Sequence, residues 1–280
     1  MIYCYNDIQW TPWKQLDDLD FADDLALLSH TQQQMQEKTS YVAQFSACVG
    51  LNIHRGKSKV LKINASSNSP ITLEGTNLEE VDSFTYLGSI IDVQGGTDAD
   101  IRTRIGKARA AFKQLNKVWS CNNLSLQTKV RIFNTTVKPV LLYGAETWRT
   151  TAAGTKKLQT FINTCLRTIL RIRWPNVITN EDLWQHTQQE PVEELIRQRR
   201  WRWIGHTLRK PTSSIVRQAL TWNPQGKRKR GRPKMTWRRE LEADTKKSGH
   251  SWGQIERLAQ DRDAWRAFVC GLCPRWDERL

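Results

Sequence analysis

The segment Leu19-Asp20-Phe21-Ala22-Asp23-Asp24-Leu25-Ala26-Leu27-Leu28-Ser29 constrains the chain more than any other. Apolar residues flank two adjacent carboxylates, and ionised carboxylates in such company are costly unless something compensates them. Two arrangements answer this: a tight turn that lifts Asp23 and Asp24 into water, or a bound cation. The flanks, residues 15–21 and 25–29, have the length and residue types of short buried strands, which puts the pair at the connection of a hairpin.

The residues that follow predict a helix. Thr31 and Gln34 have capping-box spacing, Met35, Val42, Phe45 and Val49 lie near one face, and Gly50 ends the pattern. Residues 57–63, 71–73 and 83–91 read as further strands. After Val93-Gln94-Gly95-Gly96 the period becomes helical for the rest of the chain. Ile101, Ile105, Ala108, Phe112, Leu115 and Trp119 mark one helix. Val130, Phe133, Val137 and Leu141 mark another, strained by Pro139, and Leu158 to Leu170 mark a third. Residues 190–210 and a stretch from Ser251 to about Val269 complete the helices, with a basic Gly/Pro segment at 223–234. The first fifteen residues show no period. The expected fold class is α+β: a small α+β piece over 1–92, a helical region over 93–150, and a basic, Trp-rich helical region over 151–280.

Charge is polarised along this layout. Lysine and arginine exceed the acids by 15 over the chain. Residues 1–24 nevertheless hold six acids against Lys14, whereas residues 197–239 hold fifteen Lys/Arg and no acid. A polyanion, nucleic acid first, is the partner class that such a surface attracts. No run of eighteen apolar residues exists, so no membrane is expected as partner. Six cysteines without a secretory signal are no disulfide framework, and a reducing nuclear or cytoplasmic setting, not secretion, is the expectation. Cys270 and Cys273 form one C-x-x-C, to which His250 or Cys165 would have to be added for zinc.

The Phe21-Ala22-Asp23-Asp24 element followed by Leu25-Ala26-Leu27-Leu28-Ser29 resembles the catalytic hairpin of reverse transcriptases. Four later stretches follow in that family's order. Residues 50–63 resemble the glycine-leucine turn and lysine near the incoming nucleotide, and Phe84-Thr85-Tyr86-Leu87-Gly88-Ser89-Ile90-Ile91-Asp92 resembles the primer grip. Residues 137–148 resemble the thumb of LINE-type, non-LTR retrotransposon endonuclease/reverse transcriptases, and the basic tail resembles the region after it. The resemblance implies a partial polymerase palm, a helical thumb and a C-terminal domain of an RNA-directed DNA polymerase. Asp23 and Asp24 would ligate Mg²⁺, with Mn²⁺ as substitute. Lys57, or Lys59 as second choice, would face the triphosphate, and Phe84, Tyr86, Leu87 and Gly88 would grip the primer. In two-metal nucleotidyl transfer such ions activate a 3′-hydroxyl and stabilise the leaving pyrophosphate.

That family also needs a metal-ligating aspartate on an upstream strand, together with fingers elements, and only 22 residues precede Asp23. The expectation is therefore a C-terminal part that does not polymerise alone, with an upstream polymerase fragment as a candidate partner beside the RNA template and DNA primer. A non-catalytic nucleic-acid-binding protein derived from a retroelement is the alternative.

Two basic stretches stand on their own chemistry. In Arg199-Arg200-Trp201-Arg202-Trp203 the arginines would hold phosphates while the rings stack on bases. Equally, Trp201 and Ile204 would face a core with the arginines solvated. Within Lys227-Arg228-Lys229-Arg230-Gly231-Arg232-Pro233-Lys234 the Arg-Gly-Arg-Pro core is similar to an AT-hook for a narrow A·T minor groove. A basic linker and a nuclear-localisation run fit the same residues.

Overall fold

The computed structural model describes residues 8–11, 14–63, 69–222 and 236–272. The chain divides into two compact units, Met1–Gly96 and Thr97–Leu280.

In the N-terminal unit the strands pair two by two. Asp18–Phe21 runs antiparallel to Asp24–Leu27, Ser83–Tyr86 to Ser89–Asp92, Thr72–Leu73 to Thr76–Asn77, and Ile8–Thr11 to Lys14–Leu16. The last pair shows that Ile8–Thr11 and Lys14–Leu16 form strands where the sequence shows no period; backbone pairing there needs no alternation of side chains. The strand expected over 57–63 contracts to Lys59–Val60, parallel to Glu79–Glu80. The stretch 83–91, a strand by its period and part of a primer-grip hairpin by the family resemblance, folds back on itself, because Leu87 (φ 48°) and Gly88 (φ 80°) adopt the left-handed conformations of a two-residue hairpin turn.

One helix, Gln32–Cys48, backs these hairpins. Its capping box is present as the spacing predicts: Gln34 N–H donates to Thr31 Oγ1 and Thr31 N–H to Gln34 Oε1. Gln36 acts as a strand substitute, its amide donating to Thr72 O at 2.9 Å and accepting from Thr72 N at 2.7 Å. Lys38 donates to Leu28 O at 2.7 Å and to Asp17 Oδ1 at 3.0 Å, which ties the helix to the base of the aspartate hairpin. Among the described residues of this unit only Ile71 and Leu73 are buried hydrophobics, whereas Phe21, Leu25, Tyr41, Phe45 and Val49 stand exposed.

The described part of the C-terminal unit is helical. A first core takes Ile101, Ala108, Phe133, Leu141, Trp148, Leu158, Ile162, Leu166 and Ile196, from helices that lie on both sides of position 150. The helix expected from Ile101 to Trp119 breaks at Leu115 into Asp98–Gln114 and Asn116–Ser120. Pro139 lacks the N–H that residue 135 would bond, and the chain accommodates it with a π turn, Phe133–Val137, directly before Lys138–Leu141.

A second core joins Trp201, Ile204 and Leu208 of the Val192–Leu208 helix to Leu241, Ile255, Trp265 and Val269. Here the helix expected over 251–269 divides into Trp252–Leu258 and Arg262–Leu272. Asp261 starts the second piece by accepting from the N–H groups of Asp263 and Ala264.

Candidate functional site

The aspartate hairpin turns through Ala22 and Asp23, and Asp24 opens the return strand opposite Phe21. Ala22 takes φ 55°, a left-handed backbone that costs a non-glycine residue about 1–2 kcal/mol. Asp23 and Asp24 are both exposed. Directly opposed residues share a face of an antiparallel pair, so Asp24 lies with Phe21, Leu19 and Ala26. Asp18 and Asp20, opposite Leu27 and Leu25, lie on the other face. They therefore cannot converge with Asp24 on one ion.

The two hairpins meet. Tyr86 donates its hydroxyl to Leu19 O at 3.1 Å, across 67 residues of sequence. Desolvation, and then the carboxylates of Asp24, Asp20 and Asp18, push the Tyr86 phenol up from its ordinary value. Phe84 lies beside Tyr86 on the same strand face, ring centroids 6.4 Å apart, and Leu87 and Gly88 form the turn. Tyr86→Phe removes the bond between hairpins. Because Leu19 is partly exposed and its carbonyl regains water, the expected loss is about 0.5–1 kcal/mol in chemical denaturation.

Lys57 is exposed on the turn after His54, to whose carbonyl its own N–H donates. Lys59, the second choice, is paired with Glu79. Among the described residues no group of three His, Cys, Asp or Glu is placed to hold a metal ion. Asp23 and Asp24 are adjacent, exposed carboxylates at the tip of the hairpin. A two-ion clamp needs a further carboxylate on their face, and the described residues bring none there. Of the zinc candidates, Cys273 lies outside the described residues, Cys270 is exposed, Cys165 is buried in the first core, and His250 packs edge-on against Phe268.

The Arg/Trp segment is a correction. Arg200 is only 3% exposed; it forms an ion pair with Glu240 at 2.6 Å and donates to Trp148 O at 2.8 Å. Trp201 is fully buried, its indole N–H donating to Asp244 Oδ2 at 3.0 Å. Neither is available to a phosphate or a base. Arg199 leans towards Leu142 O and Glu146, and Trp203 packs on Trp237. Arg202 alone of the five is exposed. Glu240 and Asp244, one turn apart on the Trp237–Lys247 helix, are the carboxylates that compensate this stretch. They lie just past the acid-free window, so the charge count concealed them. Lys227, Arg228, Lys229, Arg230, Arg232 and Lys234 lie outside the described residues.

A basic surface that periodicity did not single out lies elsewhere in the same unit. Between the Asp98–Gln114 and Ala152–Ile169 helices runs a groove of about 790 Å³, lined by Arg109, Lys113, Lys156 and Lys157 over a floor that includes Phe112 and Phe161. Cys165 also lines it; burial pushes its thiol up to about 12, against the opposing effect of Arg109. Alkylation by iodoacetamide at pH 8, followed by mass spectrometry, is expected to label exposed Cys48 and Cys270 and to spare Cys165.

No helix among the described residues is long and apolar enough to cross a membrane. Residues 111–143 match the family described as Domain of unknown function (DUF6451). An uncharacterized transposon-derived protein of Caenorhabditis elegans is 26% identical over 268 residues, covering 91% of this chain and 96% of that protein. Along nearly its whole length, the chain is thus similar to a protein of transposon origin.

Proposed function

We propose that the chain is the C-terminal part of a LINE-type reverse transcriptase: the end of a palm, a thumb and a nucleic-acid-binding tail of an RNA-directed DNA polymerase. The observation that carries this reading is the bond from Tyr86 to Leu19, which joins the two motifs that resemble primer grip and catalytic hairpin. Similarity to a transposon-derived protein supports a retroelement source. In this reading Asp23 and Asp24 hold Mg²⁺, which would draw the primer 3′-hydroxyl and the triphosphate together. Tyr86 and Lys38 hold the hairpin that presents the two carboxylates. Lys57 is exposed and available to a phosphate.

The chain alone is not expected to polymerise, because among the described residues Asp23 and Asp24 have no third carboxylate beside them to complete a metal site. An upstream palm segment is the partner that would supply it and cover Phe21, Tyr41, Phe45 and Val49. Primer extension on an RNA template with Mg²⁺ and dNTPs tests this, with Asp23→Asn/Asp24→Asn as control. The expected result is no templated incorporation, together with salt-dependent binding of the primer–template. Incorporation that the double substitution abolishes would mean that the site is already complete. Absence of binding at low salt would overturn both the polymerase reading and its alternative, a non-catalytic nucleic-acid-binding protein.

A further inference from the structure

We propose that the groove between the Asp98–Gln114 and Ala152–Ile169 helices is a single-strand nucleic-acid track, with Trp174 as a stacking platform at one end. The proposal rests on the nucleic-acid reading above and assigns it to a surface that the Arg/Trp segment and the 227–234 run do not include.

Four observations converge. The first is charge: Arg109, Lys113, Lys156 and Lys157 are all exposed, and no acid lines the groove among the described residues. The Ala152–Ile169 helix carries no Asp or Glu anywhere along its length. By contrast, Arg197, Arg199 and Arg200 all have carboxylate partners. Cations left without carboxylates on opposed helices suit an external polyanion.

The second is shape. Lining residues run from Ala153 to Thr168, roughly 22 Å at the helical rise. That is an elongated track, not a pocket for one small anion. Thr160, Thr164 and Thr168 repeat at helical spacing along it, and each hydroxyl donates to the carbonyl four residues back. Outward they offer methyl groups and acceptor lone pairs, so phosphate attraction falls to the lysines and arginines.

The third is the ring. Trp174 is 89% exposed, an extreme value for a tryptophan, and Arg171 and Arg173 flank it, also exposed. Ile172 and Ile178 pack on the first core on either side of the tip, so a rigid base presents the indole. An exposed Trp beside arginines has the chemistry of a base-stacking platform. A paired base inside a duplex offers it no free face, which is why the strand is single.

The fourth is placement. Arg171 donates to Ser120 O at the end of the Asn116–Ser120 helix, whose first residue, Asn116, lines the groove, as does Thr168, three residues before Arg171. The Trp174 loop therefore sits at that end of the track.

The test is fluorescence anisotropy of a labelled single-stranded RNA and a single-stranded DNA, with duplex as competitor, across a salt series. Variants are Arg109→Gln/Lys113→Gln/Lys156→Gln/Lys157→Gln, Trp174→Ala, and Arg230→Ala/Arg232→Ala. The four basic side chains are exposed, and an unchanged melting temperature verifies that the fold is intact. Removing four charges that each neutralise a phosphate of a single strand lowers the slope of log K against log salt by about 2.8. Trp174→Ala weakens binding by about 5- to 150-fold and leaves the salt slope unchanged.

A full salt slope in the quadruple variant overturns the groove, and if Arg230→Ala/Arg232→Ala alone abolishes binding, nucleic acid is held by the 227–234 run instead. Equal competition by duplex with Trp174→Ala unchanged overturns the single-strand track. Absence of binding by the unmodified chain at low salt overturns the nucleic-acid reading and the groove together.

Discussion

Glu240→Ala is expected to destabilise the C-terminal unit by about 3–5 kcal/mol, the cost of leaving a buried charge without its partner. Arg200 is 3% exposed, and its guanidinium meets Glu240 at 2.6 Å; the same carboxylate oxygen accepts from Thr150 Oγ1 at 2.5 Å. Among the described residues, removing Glu240 leaves only Trp148 O to accept from the guanidinium, whose Nε already lacks a partner there. Urea denaturation followed by tryptophan fluorescence reads the loss directly. The double substitution Arg200→Met/Glu240→Leu is expected to regain most of it, because an apolar pair of similar volume avoids both desolvation penalties. If Glu240→Ala alone costs less than about 1 kcal/mol, water reaches the pair and the closed arrangement is wrong.

Gly205→Ala is the second large effect. A Cβ at residue 205 would lie 2.1 Å from Trp265 Nε1 and 2.4 Å from Cε2. The indole cannot swing aside. Its N–H donates to Trp201 O at 3.1 Å, and Trp201 and Phe268 pack around it, with ring centroids 6.0 and 5.2 Å away. Overpacking of this kind costs about 1–3 kcal/mol, even though alanine is the better helix former by about 1 kcal/mol. Gly106→Ala serves as the contrast. It sits within the Asp98–Gln114 helix with nothing near the new Cβ, so it is expected to stabilise by about 0.5–1 kcal/mol. Opposite signs at these two glycines, measured by thermal melting, would separate helix propensity from packing.

Much of the local structure was legible because it depends on neighbours in sequence. The Thr31–Gln34 capping box and the change to helices after Gly96 are each set by a few adjacent residues, whereas the turn expected at Asp23-Asp24 forms one residue earlier, at Ala22-Asp23. A hairpin at this place was legible from the polar pair between apolar runs, but its register was not: Asp24 pairs with Phe21 in the return strand. The breaks at Leu115 and Ala259 escaped, because apolar spacing continues through them and only the local bonds of Leu115 and Asp261 interrupt the helix.

What surrounds each helix is another matter. Arg199-Arg200-Trp201-Arg202-Trp203 carries arginine and tryptophan on every side, so its period cannot name an inner face. The tertiary structure chose one by bringing Glu240 and Asp244 against it, carboxylates some forty residues away that make a buried guanidinium tolerable. The same logic in reverse left Arg109, Lys113, Lys156 and Lys157 without carboxylates among the described residues, on two helices that packing brings together. Sequence alone determined the order of short strands followed by helices and the chemistry each segment carries. Which charges are neutralised within the fold, and which remain for a partner, only long-range packing decided, because an ion pair depends on distance in space and not along the chain.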